Sequence, residues 1–264
     1  MPIPTLPDIE SLARQAGAIL ADGHGKTFTV TRKGRVDLVT EYDKKSEDFL
    51  IAKINAQFPG HTILAEESGL SGGLAGAAHE HLWIIDPLDG TTNFAHGVPV
   101  FAVSIGYAHR GVVTLGAVFN PISNEMYLGE KGRGATLNGK PLKVAQTADI
   151  VDSLLATGFS YDSRMIEVNL AHFNRLQRQA QGIRRLGAAA LDLCFTAAGR
   201  FDAYWEADVK PWDLAAGGLI AAEAGARVTR LSGEADYLAS PCSALAAHPV
   251  LHEKLMAELR PGPV

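Results

Sequence analysis

The stretch Trp83-Ile84-Ile85-Asp86-Pro87-Leu88-Asp89-Gly90-Thr91-Thr92-Asn93-Phe94 constrains this chain more than any other, because an apolar run delivers two carboxylates, three residues apart, into a Gly-Thr-Thr turn. Side chains three apart on a regular strand point to opposite faces, so the two acids act together only if the backbone between them leaves strand alternation. Pro87 predicts that departure: a turn at Pro87-Leu88 swings both carboxylates, with the Leu88 carbonyl, toward one point. Gly90, Thr91 and Thr92 then offer backbone N–H groups at an expected helix start, where an anion is favoured. Hard oxygen donors with nothing softer beside them suit magnesium, which takes a few carboxylates and keeps room for water and phosphate oxygens. Such a cation neutralises the charge of a phosphate monoester and acidifies a bound water.

Two other readings use the same letters. One is a buried strand ending in an ordinary Asp-Gly turn with solvated acids. The other is a phosphatase of the haloacid dehalogenase type, whose first aspartate attacks phosphorus covalently. In that type the acids sit two residues apart and share a strand face, an arrangement that the spacing here, with a proline inside it, disfavours.

Further segments add more acids. Upstream are Asp37-Leu38-Val39-Thr40-Glu41-Tyr42-Asp43 and Ile63-Leu64-Ala65-Glu66-Glu67-Ser68-Gly69; downstream are Gly187-Ala188-Ala189-Ala190-Leu191-Asp192-Leu193-Cys194, Tyr204-Trp205-Glu206 and Lys210-Pro211-Trp212-Asp213-Leu214-Ala215-Ala216-Gly217-Gly218. With the Asp-Pro-Leu-Asp-Gly-Thr-Thr-Asn-Phe and Trp-Asp-x-Ala-Ala-Gly signatures in order and spacing, the chain resembles the inositol monophosphatase family over nearly its whole length. The resemblance implies an α+β / α/β chain folded as a layered α-β-α-β-α sandwich of the inositol monophosphatase and fructose-1,6-bisphosphatase type, assembled as a homodimer. It implies two or three Mg2+ ions. Glu66, Asp86 and the Leu88 carbonyl would hold the first, Asp86, Asp89 and Asp213 the second, and a weaker third would sit near Glu66 through waters. The attacking water would be oriented by the Thr91 hydroxyl, with Asp43 behind it accepting the proton and Glu66 completing the catalytic set. Five converging carboxylates repel one another unless cations supply the counter-charge, so the implied roles cohere.

On the substrate side, the resemblance assigns Asp89, Gly90, Thr91, Thr92, Gly187, Ala188, Ala189, Glu206 and Asp213. Glu206 would accept hydrogen bonds from substrate hydroxyls, and the Gly187-Ala188-Ala189 turn would present backbone groups to the ring. Competing explanations exist for several of these. Asp213 precedes a helix-like run and would serve as an N-cap, a job compatible with metal binding because a carboxylate has two oxygens. Glu206 also reads as a solvated edge-strand residue, Trp212 as a packing residue, and Arg184 and Arg185 as ligands of phosphate, an interface or water. Only one of Glu66 and Glu67 can face a pocket from an extended segment, and the resemblance selects Glu66. Where the family's animal members place a lysine, this chain has Arg32-Lys33-Gly34-Arg35.

The implied reaction is hydrolysis of inositol monophosphate to inositol and phosphate, sensitive to lithium, with histidinol phosphate, fructose 1,6-bisphosphate or an adenosine bisphosphate as alternative esters. A role as a regulatory partner in bacterial transcription complexes is a different class of function that the family also contains. A net charge of -5, without basic runs, argues against nucleic acid as the main ligand. Two isolated cysteines, Cys194 and Cys242, suit a reducing cytoplasm, and the nine histidines show no zinc-like spacing. No leader or bilayer-length apolar run is evident, so a soluble cytoplasmic protein is expected.

Periodicity predicts helices over 8–22, 44–58 (with Asp43 as its cap), 166–181, 188–198 and 248–260, besides the one following Asp213. Strands are expected at 61–65, 82–86, 101–109, 111–120, 125–128, 153–157, 182–185, 203–206, 226–230 and 243–247. Residues 70–81, rich in Gly, Ser and Ala, read as a surface loop beside Glu66. At 264 residues, 47% hydrophobic, the chain is expected to form one unit, with an α+β half over 1–145 and an α/β half over 146–264.

Overall fold

The computed structural model describes residues 1–32, 38–71, 79–160 and 162–259; Lys33 to Arg35, and most of the loop expected before His81, fall outside them. Helix α1 (Leu6–Gly23) is followed by a short antiparallel pair, β1 (Val30–Arg32) and β2 (Leu38–Thr40), and by α2 (Glu41–Gln57). Eight strands then make one sheet: β3 (Thr62–Ala65), β4 (Gly69–Ser71), β5 (His81–Asp89), β6 (Ala102–His109), β7 (Val112–Asn120), β8 (Glu125–Glu130), β9 (Gly134–Leu137) and β10 (Lys140–Pro141). Their order is β10-β9-β8-β7-β6-β5-β3-β4, antiparallel except for the β3–β5 pair. A five-residue helix, α3 (Thr91–Ala95), leaves the end of β5.

The second sheet has the order β12-β11-β13-β15-β14, built from β11 (Leu154–Thr157), β12 (Gly182–Arg184), β13 (Ala203–Val209), β14 (Arg227–Thr229) and β15 (Cys242–Ala247). Helices α4 (Ser163–Leu176), α5 (Ala189–Ala197), α6 (Pro211–Glu223) and α7 (Pro249–Leu259) alternate with these strands. The expected helices and long strands are all present, with ends moved by a few residues. The short strands β1, β2, β4, β9 and β10 were not legible as strands, being too brief to show a period.

Strand alternation sorts the side chains into layers. On β6, Val103, Ile105 and Tyr107 face α1 and α2, joining Ile9, Leu12 and Leu50, while Ala102 faces the other way. On β13, Tyr204 turns toward α5 and α6, whereas Ala203 and Trp205 pack with Leu251 and Leu255 of α7. The stack is therefore α1/α2, eight-stranded sheet, α5/α6, five-stranded sheet, α4/α7: the α-β-α-β-α sandwich. No helix among the described residues is long and apolar enough to cross a membrane. Both cysteines are free and buried.

The middle layer owes its closeness to glycine. Gly106, Gly116 and Gly129 stand side by side in register across β6, β7 and β8. A Cβ on Gly106 would come within 2.8 Å of Ala215 Cβ, one on Gly116 within 2.9 Å of the Ala216 carbonyl oxygen, and one on Gly129 within 3.0 Å of Ile220 Cγ1. These glycines form a trough in which the Ala-Gly face of α6 lies directly on the sheet. That seating brings the first turn of α6, and with it Asp213, to the end of β5.

Candidate active site

One cleft of about 520 Å³ opens between the two sheets, and its lining includes Glu66, Asp86, Leu88, Asp89 and Asp213. Gly90, Thr91, Thr92, Gly187, Ala188, Ala189 and Glu206 line it as well. Of the residues expected at the site, Asp43 alone is not on the wall; it lies buried behind Thr91.

The two carboxylates of β5 meet through a bulge. Asp86 is paired with Ser104 and Asp89 with Ala102, so three steps on β5 oppose two on β6, and both acids return to one side. The departure expected at Pro87 is thus a bulge inside a continuous strand, not a turn ending it. Three hydrogen bonds hold it: Leu88 N–H donates to Asp86 Oδ1 at 2.9 Å, Ser46 Oγ to the Pro87 carbonyl at 2.9 Å, and Thr91 Oγ1 to the Leu88 carbonyl at 3.1 Å. Gly90 follows with φ 93°, and a Cβ there would lie 2.9 Å from the Val100 carbonyl oxygen, so both conformation and space require glycine.

Asp43 is not the cap of α2. Thr40 is, its hydroxyl accepting from Tyr42 N–H and Asp43 N–H, while Asp43 Oδ2 reaches back to Thr40 N–H at 2.7 Å as the third residue of a capping box. Its other oxygen accepts from Thr91 Oγ1 at 2.8 Å. The single Thr91 proton is thus offered to Asp43 and to the Leu88 carbonyl, leaving the hydroxyl oxygen as an acceptor toward the cleft. Asp213 likewise sits inside its helix. Lys210 is the N-cap, and Lys210 N–H donates to Asp213 Oδ2 at 2.7 Å, so one oxygen serves the helix and the other remains for the cleft.

Burial is the main force on these acids. It raises Asp86 well above the usual aspartate range, with the negative charges of Glu66, Asp89 and Asp213 adding to the effect. Asp213 is raised well above that range for the same reason, with Asp89 the largest neighbouring charge. Asp89 is pushed up to about 7 by burial, against the hydrogen bonds of the α5 amides. The ammonium of Lys210, the lysine on this wall, is 3.6 Å from Asp208, not on Asp86 or Asp89. Clustered, desolvated carboxylates and a backbone carbonyl form the donor set that a hard divalent cation would stabilise, and the residues fit magnesium.

Asp89 also qualifies one expectation. Ala189 N–H and Ala190 N–H donate to its oxygens at 3.1 and 2.8 Å, so the first amides of α5 are directed to this carboxylate instead of standing open to a ligand. A buried acid and a helix N-terminus satisfy each other. Asn93 ties the same parts together, its Nδ2 donating to the Val100 carbonyl at 2.7 Å and the Leu186 carbonyl at 2.8 Å.

From the five-stranded sheet, Glu206 shares the inward face of β13 with Tyr204, whose hydroxyl donates to Glu206 Oε2 at 2.8 Å. It is buried, not a solvated edge residue, and burial pushes it up to about 7. Gly158 makes room for it: a Cβ there would fall 2.0 Å from Glu206 Oε2. Trp212 and Arg185 line the cleft too, the former half-buried rather than packed in the core. Sequence reasoning passed over Ser46, Glu47, Gly158, Asp192 and Asp208. A signal for two of these was present. Asp43, Ser46 and Glu47 follow helical spacing with Leu50 and Ile54, so one stripe of α2 is polar at its start, and Glu47 there accepts from Glu67 N–H at 2.9 Å beside Glu66.

A second gathering of metal-type side chains lies elsewhere. Glu80, His81 and His109 bring ligating atoms within 4.8 Å of one another at the start of β5, the opposite end of that strand from Asp89. There Glu80 is engaged by Arg110 at 2.8 Å and His81 Nδ1 by the Tyr107 hydroxyl at 2.6 Å, and His61, His81 and His109 stack as a column. Histidines scattered in sequence are collected by the sheet, away from the cleft.

Comparison with known proteins identifies the family. The sequence profile of the inositol monophosphatase family matches residues 6–262. The chain belongs to that family. Membership places it among phosphomonoesterases and accounts for the order of its acidic segments. The chain is 45% identical over 216 residues to the inositol-1-monophosphatase of Synechocystis sp., covering 81% of this chain and 74% of that protein. It is 41% identical over 252 residues to the Nus factor SuhB of Pasteurella multocida, covering 94% and 93%. The solved inositol monophosphatase of Anabaena superposes with a TM-score of 0.86 at 41% identity, covering 96% of this chain and 94% of that one.

Proposed function

We propose that this protein hydrolyses inositol monophosphate to inositol and phosphate in a magnesium-dependent reaction. The observation that carries the reading is the cleft itself, which is lined by carboxylates from β5, α6 and the segment after β3 together with the buried Glu206 of β13. Glu66, Asp86 and the Leu88 carbonyl would hold one cation, and Asp86, Asp89 and Asp213 a second. When bound, magnesium supplies counter-charge for the phosphate and lowers the pKa of water.

The remaining work falls to the chain. Thr91 gives its proton toward Asp43, so its oxygen accepts a hydrogen bond from a water in the cleft and fixes that water's orientation. Asp43 is raised by burial, which makes it a stronger proton acceptor than an exposed aspartate. Gly90 and Thr92 flank the phosphate end, while Gly187, Ala188 and Glu206 face the polyol, Glu206 with an oxygen besides the one bonded to Tyr204. The test is Asp86→Asn assayed with a panel of inositol monophosphate, histidinol phosphate, fructose 1,6-bisphosphate and adenosine bisphosphate. Full hydrolysis by the variant would end the metal assignment, and wild-type preference for another ester would end the inositol assignment alone.

A second role is supported by relatives that carry the name Nus factor SuhB, one of them 41% identical. Partner binding of that kind does not require turnover. Asp86→Asn that loses hydrolysis yet still captures transcription proteins from source lysate would establish it as separate.

A further inference from the structure

Asp192 has no structural employment. It lies on α5 with 1% of its surface exposed, among Leu191, Leu193 and Cys194, and its Oδ1 has no hydrogen-bond partner among the described residues. The usual reasons for an acid in such a place do not apply. It does not hold the start of α5, because Asp89 already accepts from Ala189 N–H and Ala190 N–H there. Nor does it share the hydrogen bond that Tyr204 gives to Glu206. A buried polar atom without a partner costs stability, and an apolar residue of the same size would relieve it.

Its position supplies a reason. Asp192 lines the same cleft as Glu206, Gly158 and Arg185, within reach of the charges of both Glu206 and Asp89. Glu206 and Asp192 come from different elements, β13 and α5, and the Glu206 charge acts on the Asp192 carboxyl. Two carboxyls set around one space suit a ligand carrying more than one hydroxyl, each of which can donate to one acid.

We infer that Asp192 is a specificity-determining residue that takes a hydroxyl of the polyol, next to the hydroxyl taken by Glu206. The inference rests on the reading of the substrate as a polyol phosphate. Ordering the ligand then completes a hydrogen bond that the folded chain leaves unmade, so esters with hydroxyls beside the phosphate are favoured over those without.

The test compares myo-inositol 1-phosphate with 4-nitrophenyl phosphate, whose leaving group has no free hydroxyl, in the magnesium-loaded enzyme. Asp192→Leu is expected to raise the ratio of the two KM values (inositol ester over nitrophenyl ester) about tenfold or more, the loss of one hydrogen bond to a carboxyl group. Asp192→Asn, which keeps the shape and a polar oxygen, should restore most of it, and thermal melting should show Asp192→Leu no less stable than the wild type. An unchanged ratio, whether both esters suffer alike or neither does, overturns the inference. A wild type that turns over both esters with equal kcat/KM overturns the polyol reading and the inference together. Asp192→Ser gives the same ratio test if the leucine variant does not fold.

Discussion

Two sets of acids in the cleft, the Asp86–Asp89–Asp213 cluster and the Glu206–Asp192 pair, are built by different rules. In the acidic cluster, each aspartate has a backbone N–H close by in the fold: Asp86 has Leu88, Asp213 has Lys210, Asp89 has Ala189 and Ala190, and Asp43 has Thr40. For three of the four aspartates the partner lies within three residues in sequence. Around Glu206 the support is different: Glu206 depends on the Tyr204 side chain and on the absence of a side chain at Gly158, and Asp192 Oδ1 has no hydrogen-bond partner among the described residues. A site for cations can be written largely into local backbone, because the ions need only a rigid set of oxygens. A site for a ligand with directional hydroxyls leaves groups unsatisfied until that ligand arrives.

If that division holds, damage around the first set should appear in kcat and damage around the second in KM. The largest effect is expected from Thr91→Val, which keeps the shape but removes the hydroxyl: kcat should fall roughly 10²- to 10⁴-fold, the usual worth of positioned proton transfer, with KM little moved. A loss confined to KM in steady-state assays would break the division.

Next in size is a pH effect on stability carried by Glu206. Between the ordinary glutamate range and about 7, the folded protein keeps a proton on this carboxyl that the unfolded chain has released. Unfolding therefore releases a proton in that window, stability falls as pH rises through it, and the cost is fully present above pH 7. Glu206→Gln should remove that part of the slope, up to about 3 kcal/mol between pH 5 and 8 in urea melts without magnesium. An unaltered slope would show Glu206 to be solvated in the free protein.

Gly116→Val tests the trough under α6. The added side chain meets backbone of Ala216, so a loss of about 1–3 kcal/mol is expected in thermal denaturation, together with weaker magnesium dependence because Asp213 shifts with the helix. The smallest change is Gly158→Ala, whose methyl would collide with the Glu206 carboxylate. It should raise KM for inositol monophosphate roughly tenfold, the cost of one displaced hydrogen bond, while leaving kcat near the wild-type value. A fall in kcat as large as that of Thr91→Val would mean that the two sets are not separable.

How far the site was legible follows the same division. A break in strand alternation at Pro87, the Gly90 turn and the start of α6 follow from neighbours in sequence, and Asp86 and Asp89 stand out in their own segment. The resemblance to a family did the rest, since it chose Glu66 over Glu67 and gave Glu206 a purpose. Gly158 was not legible, because its meaning lies in a carboxylate 48 positions away on a parallel strand. Asp192 stood in a recognised segment, but an acid amid Ala and Leu reveals nothing of whether its oxygens find partners. The roles of Lys210 and Trp212 at the rim depended on how α6 lies on the sheet.

What this sequence determined alone was the order of helices and long strands and the chemistry of its donors, while the layered assembly came from the family resemblance: helical and strand periods survive in any context, and oxygen ligands choose hard cations. The meeting of those donors was decided by tertiary structure, through the glycine row that lets α6 touch the sheet and the α2 stripe that pins the bulge. The reason is physical. Close approach and desolvation are properties of pairs distant in sequence, and no local pattern records how near two surfaces come.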